Sequence, residues 1–134
     1  MTTVTTRAGK GAPLTNAEID QNFIDLVNNK LELIVNGTTS GATITPASSD
    51  SQYNVTALAV NATVEAPSGT PVHGHKLLLR IKDDGTARTL AWNAIFRELI
   101  ALPTTTVAGK VLYVGFTYND TDSKWDVIAV TQET

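Results

Sequence analysis

The sequence predicts a mainly β protein with one N-terminal α-helix, in which an antiparallel β-sandwich or jelly-roll-like domain follows a helix that forms an oligomer. Three observations lead there. A capped, broadly apolar pattern of helical period occupies the early part of the chain, the period changes to two from Ala42 onward, and threonine supplies 21 of the 134 residues. Threonine and valine favour extended chain, so composition and the change of period agree.

Residues 1–14 hold Gly9, Gly11 and Pro13 with little apolar pattern and read as an extended docking arm that orders on a partner. An oligomerisation and attachment helix follows over 15–36. Thr15 and Glu18 form a T-x-x-E capping box, Leu14 is placed to staple against a residue one turn in, and Asn36-Gly37 is the expected stop. At 100° per residue the apolar positions from Ile19 to Val35 sweep roughly 200°, about twice the stripe of an ordinary surface helix. Ile19, Phe23, Leu26 and Leu33 follow one heptad seam, interrupted by Lys30, and Ile24, Val27, Leu31 and Ile34 follow a second beside it.

Two adjacent seams suit a three-helix cluster, or a helix clamped between its own domain and a sister chain. The commoner use of such a stripe is the core of one globular domain. Burying a Leu or Ile is worth about 1.5–3 kcal/mol, so the excess width favours assembly, with Ile19, Phe23, Leu26, Val27, Leu31 and Ile34 as the oligomerisation residues.

After the turn-rich linker 36–41, a β-sandwich domain is expected over 42–134, with strands at 42–45, 53–59, 62–66, 76–82, 86–92, 111–118 and 124–131. Two hairpins are expected. In the first, Leu77, Leu79 and Ile81 face one side before Asp83-Asp84-Gly85 turns the chain toward Arg88, Leu90 and Trp92. In the second, Leu112, Val114, Phe116 and Tyr118 share a face, and the Asn119–Ser123 turn leads back to Trp125, Val127 and Ala129. Residues 93–99 read as a strand with an irregular loop ending at Pro103. No fixed repeat of 20–50 residues stands out, which speaks against a solenoid.

Composition excludes several function classes. The net charge is −3 with scattered Lys and Arg, so no basic stripe marks a nucleic-acid footprint. No apolar run is long enough for membrane insertion, the Thr-rich start lacks the apolar core of a signal peptide, and without cysteine there is neither disulfide nor thiolate-metal chemistry.

The polar residues offer little catalysis. Glu65, Glu98 and the turn aspartates have no spacing that opposes two carboxylates, nothing pairs His73 or His75 with a nucleophile, and no phosphate loop is present. Neither an enzyme nor a cofactor is expected. On an extended chain the rings of His73 and His75 would share a face, and three copies around a threefold axis could hold a transition metal, although Pro71 and Gly74 frame the pair as a surface turn. Asn119, Asp120, Asp122 and Asp126, like Asp83 and Asp84, read as solvated turn residues rather than a calcium site. Of the aromatic residues a glycan-binding face could use, Trp92 and Trp125 are assigned to the core, and Tyr113 and Tyr118 to the surface.

The run Gly11-x-Pro13-Leu14-Thr15-x-x-Glu18-x-Asp20-x-Asn22-Phe23 resembles a segment found in fibre and tail-associated proteins of tailed bacteriophages, ahead of the fibre domain. Later stretches, among them Thr43-Ile44-Thr45-Pro46, Ala66-Pro67-Ser68-Gly69-Thr70-Pro71 and Leu78-Leu79-Arg80-Ile81-Lys82-Asp83-Asp84-Gly85, look like a β-rich virion module of such proteins. The resemblance implies a homotrimeric, non-enzymatic appendage of a phage virion that contacts other virion proteins of the tail baseplate or capsid. The chain is shorter than that pattern, with no long shaft after Thr134. A short tail fibre, a capsid-surface decoration or head-fibre protein, and a module that binds a host-surface glycan are the readings it leaves open.

Overall fold

The computed structural model describes residues 6, 8, 11–29 and 32–134. The chain divides into two compact units, Met1–Glu32 and Leu33–Thr134. Among the described residues, the first holds helix α1, Asn16–Asn29. Most of the expected docking arm, together with Lys30 and Leu31, lies outside the described residues.

The helix stops well before Asn36, because the residues beyond it have better partners in a sheet. Val35–Thr38 is strand β1 of the second unit, paired in parallel with β3, Gln52–Leu58. Just before it, the Ile34 carbonyl accepts from the Ser51 and Gln52 amides at 2.8 and 3.2 Å, and the Ile34 amide donates to Ser51 Oγ at 3.2 Å. Ile34 therefore belongs to the β unit and not to the helix seam. Gly37 is needed as a close-approach residue rather than a helix stop, since a Cβ there would fall 2.3 Å from the Asn54 carbonyl oxygen.

The second unit is β-rich, as its alternating pattern implies, but its pairing is mostly parallel. Strands β2 (Thr43–Ile44), β4 (Ala62–Val64) and β6 (Leu90–Trp92) form a small sheet, while β1, β3 and β5 (Lys76–Asp83) begin a larger one. The chain visits the two sheets alternately, each strand lying parallel to the one laid down two elements earlier. A parallel bridge from Ala47 to Ser68 continues the stacking through a corner. β8 (Val111–Asn119) and β9 (Lys124–Gln132) then close the larger sheet with antiparallel pairing, and β7 (Phe96–Arg97) lies parallel to β9.

The expected hairpin after Asp83 does not form, because β6 crosses to pair with β4 and β5 takes β8 as its antiparallel neighbour. This coiled path replaces the antiparallel sandwich. Its turns escape a repeat search because they differ in length: Val35 stacks on Gln52, whereas Gln52 stacks on Leu78. The second hairpin forms with its turn where expected, but with one bulge opposite Gly115 and Phe116. The extra residue there, Ile128, reverses the alternation, so Ala129 is exposed and Val130 packs against the core.

The core lies where the sheets supply inward side chains. Leu77, Leu79 and Ile81 of β5, Leu112, Val114 and Phe116 of β8, Trp125 and Val127 of β9, and Ile44, Val64 and Leu90 of the small sheet are buried in one cluster. Trp92 packs against it and donates from Nε1 to the Pro103 carbonyl at 2.8 Å. Tyr118, expected at the surface, also packs against the core, its ring 5.2 Å from that of Trp125.

Candidate functional site

The helix of the first unit begins as its capping residues dictate. The Glu18 amide donates to Thr15 Oγ1 at 3.2 Å, and the Thr15 amide donates back to Glu18 Oε2 at 2.8 Å. Leu14 and Ile19 line one wall of a groove of about 270 Å³ that continues to Asn22, Phe23 and Leu26, which places the staple and the first seam on a common face. These apolar side chains are exposed: Phe23 is 66 %, Leu26 59 % and Val27 70 % accessible, with Ile19 and Ile24 also open to solvent. Of the expected oligomerisation residues, Ile19, Phe23, Leu26 and Val27 are thus on the helix, Leu31 is outside the described residues, and Ile34 is in the β unit.

The polar clusters of the β unit are largely occupied by its own groups. His73 and His75 do not present their rings to one face, because the chain turns at Gly74, whose φ is 82°. His73 Nδ1 lies 2.8 Å from an Asp120 carboxylate oxygen, whereas His75 Nε2 lies 3.0 Å from the Asp50 carbonyl and its ring meets Trp125 edge-on. Among the described residues, no three His, Asp or Glu side chains converge as a metal site. No helix among them is long and apolar enough to cross a membrane.

Two of the expected turn aspartates are buried and structural. Asp126 receives Arg97 Nε at 2.6 Å and Nη2 at 2.8 Å, while Arg97 Nη1 donates to Asp122 at 2.9 Å. The guanidinium thus stands between the carboxylates that a calcium ion would need. Its hydrogen bonds hold the Asp126 carboxyl below its ordinary pKa against the opposing effect of burial, and they raise that of Arg97. For Asp83 burial works against ionisation, but donation from Thr106 Oγ1 at 2.5 Å, from the Gly109 and Gly85 amides at 2.6 and 3.0 Å, and the charge of Arg88 outweigh it. The carboxyl is held below its ordinary value and ties β5 to the loop ahead of β8.

On the outer face of the larger sheet, register brings Asn54, Arg80, Tyr113 and Thr131 into one row across β3, β5, β8 and β9. Tyr113, expected at the surface, stands there half-buried beside Arg80 in a groove of about 430 Å³ completed by Val111, Thr131, Gln132 and Glu133. Sequence reasoning missed Arg80 as a site residue. Alternation along β5 already turned it away from Leu79 and Ile81, but only the pairing of β5 with β8 places it beside Tyr113.

In comparisons with known proteins, no family model, no curated protein and no solved structure matches this chain.

Proposed function

We propose that the protein is a non-enzymatic structural component of a bacteriophage virion, a short trimeric fibre or tail-associated appendage whose N-terminal arm and helix attach it to other virion proteins. The observation that carries this reading is the exposed apolar face of α1. A helix of 14 residues is marginal in water by itself, and side chains such as Phe23, Leu26 and Val27 are costly to leave in solvent. Packing Ile19, Phe23 and Leu26, with Ile24 and Val27 beside them, against sister helices removes both costs. The G-x-P-L-T-x-x-E-x-D-x-N-F segment, which resembles the attachment segments of phage fibre proteins, occupies this same unit and gives the assembly its address.

Sedimentation equilibrium of the full chain tests the reading. The expected mass is three times the 14.3 kDa of one chain, and Phe23→Asp or Leu26→Asp reduces it to a single chain while the β-sheet circular dichroism persists. A folded wild-type monomer at micromolar concentration overturns the proposal, as does a trimer that survives both substitutions.

A further inference from the structure

We propose that the outer face of the larger sheet is a binding site for an acidic saccharide, with the sugar carboxylate on Arg80 and the ring against Tyr113. The site lies within the β unit of one chain, so it stands independently of how the chains assemble.

Arg80 is the starting point. It is half-buried on the central strand β5, and its guanidinium makes no hydrogen bond or ion pair among the described residues. The other two described arginines behave differently, Arg88 holding Asp84 and Arg97 holding Asp122 and Asp126. Glu133, the one carboxylate among the groove residues, is held against the groove wall and not on Arg80: its Oε2 accepts from the Val111 amide at 2.9 Å. Lys82, which faces Val111 in register, is likewise without a partner. A local surplus of positive charge therefore sits on a chain whose net charge is −3. A planar guanidinium with free donors matches a carboxylate in a two-point fork.

The rest of the groove favours a sugar over a peptide or nucleic acid. Arg80 and Tyr113 lie on β5 and β8, whose backbone groups are committed to ladders on both sides; beyond Asp126 strand β9 is paired on its β8 side only, so an extended peptide that joined its outer edge would lie beside the groove and not over Arg80. Two neighbouring cations fall far short of the basic stripe that a phosphate backbone requires. Tyr113 supplies an apolar ring with a polar tip, and Thr131 and Gln132 on the neighbouring strand β9 supply a hydroxyl and an amide. Gln132 Nε2 donates to the Val111 carbonyl at 2.9 Å, which fixes that wall in advance. The volume of about 430 Å³ lies within the range of small-ligand sites.

Isothermal titration of the full chain at low salt with trigalacturonate and with 3′-sialyllactose, beside neutral galactotriose and lactose, tests the site. At least one acidic sugar binds saturably, its neutral counterpart binds more weakly, and added salt weakens the acidic one. Arg80→Gln lowers that affinity by about tenfold or more, as loss of a charge-assisted contact requires, and Tyr113→Ala lowers it too. Arg80→Lys retains part of the affinity and Arg88→Gln leaves it unchanged. An unaltered circular dichroism spectrum shows that each variant is folded. Absence of saturable binding by both acidic sugars, equal binding of the neutral ones, or binding that Arg80→Gln leaves intact overturns the proposal. An acidic peptide, tetraglutamate, that competes as well as the sugars overturns it in favour of a protein ligand.

Discussion

Leu79 and Phe23 are both large apolar side chains on regular elements, yet Leu79 is sealed inside the β unit while Phe23 stands 66 % exposed on α1. The β unit closes on itself because its inward positions come from two sheets and a hairpin, each of which buries the others. A single helix has only one of those surfaces. Among the described residues, the first unit thus has a satisfied cap and an apolar helix face that is open to solvent. The second satisfies the buried carboxylates of Asp83 and Asp126 internally.

The contrast breaks most visibly under one truncation made in both places. Leu79→Ala removes side-chain volume from a closed core and is expected to cost about 2–5 kcal/mol, read as a lower urea midpoint of the β-sheet signal. Phe23→Ala is expected to leave that midpoint within about 0.5 kcal/mol and to weaken self-association instead. Equal shifts in the β-sheet midpoint would mean that Phe23 is part of the same core.

A second probe lies at the first turn of the coil. Gly37→Ala forces a methyl against the Asn54 carbonyl and should cost about 1–3 kcal/mol, with amide exchange accelerating first in β1. Unchanged exchange there would show that β1 does not hold its close approach to β3.

Charge sharpens the comparison further. Because the folded Asp83 carboxyl sits below its ordinary value of 3.8, its contribution to stability is complete above that pH and is lost as the pH falls through and below it. Asp126 acts in the same direction, with a smaller share because its partner Arg97 is partly in solvent. Asp83→Asn keeps an acceptor for amides but not for Thr106 Oγ1 as well, so a loss of about 1–3 kcal/mol at neutral pH is expected. The variant should also show a flatter acid limb in denaturation measured between neutral and low pH. The smallest effect is Thr15→Ala, which removes the cap and should cost the helix about 1 kcal/mol. It is read in helical circular dichroism, with the β-sheet midpoint unmoved.

The helix start was legible because capping is a local event: Thr15, Glu18 and Leu14 meet within one turn whatever the rest of the chain does. The inward faces of β5 and β8 were legible for a similar reason, since a period of two fixes which side chains share a face. The helix end was not. Ile34 and Val35 continue the apolar pattern of the helix, and only the amides of Ser51 and Gln52, distant in sequence, draw them into a sheet. Asp83 and Asp126 carry the composition of solvated turns, and their burial depends on Thr106, Gly109 and Arg97 arriving from elsewhere.

By itself, then, the sequence determined that one helix precedes a β-rich unit, the cap, the alternation that selects core residues of β5 and β8, and the apolar positions Ile19, Phe23, Ile24, Leu26 and Val27 on the helix. These follow from short-range sterics and periodicity. The tertiary structure alone decided that the strands coil in parallel between two sheets, that Asp83 and Asp126 become internal fasteners, and that Arg80 stands unpaired beside Tyr113. Strand partners are chosen by burial and hydrogen bonding between segments far apart in the chain, and unequal turns leave no period in the sequence from which to read that choice.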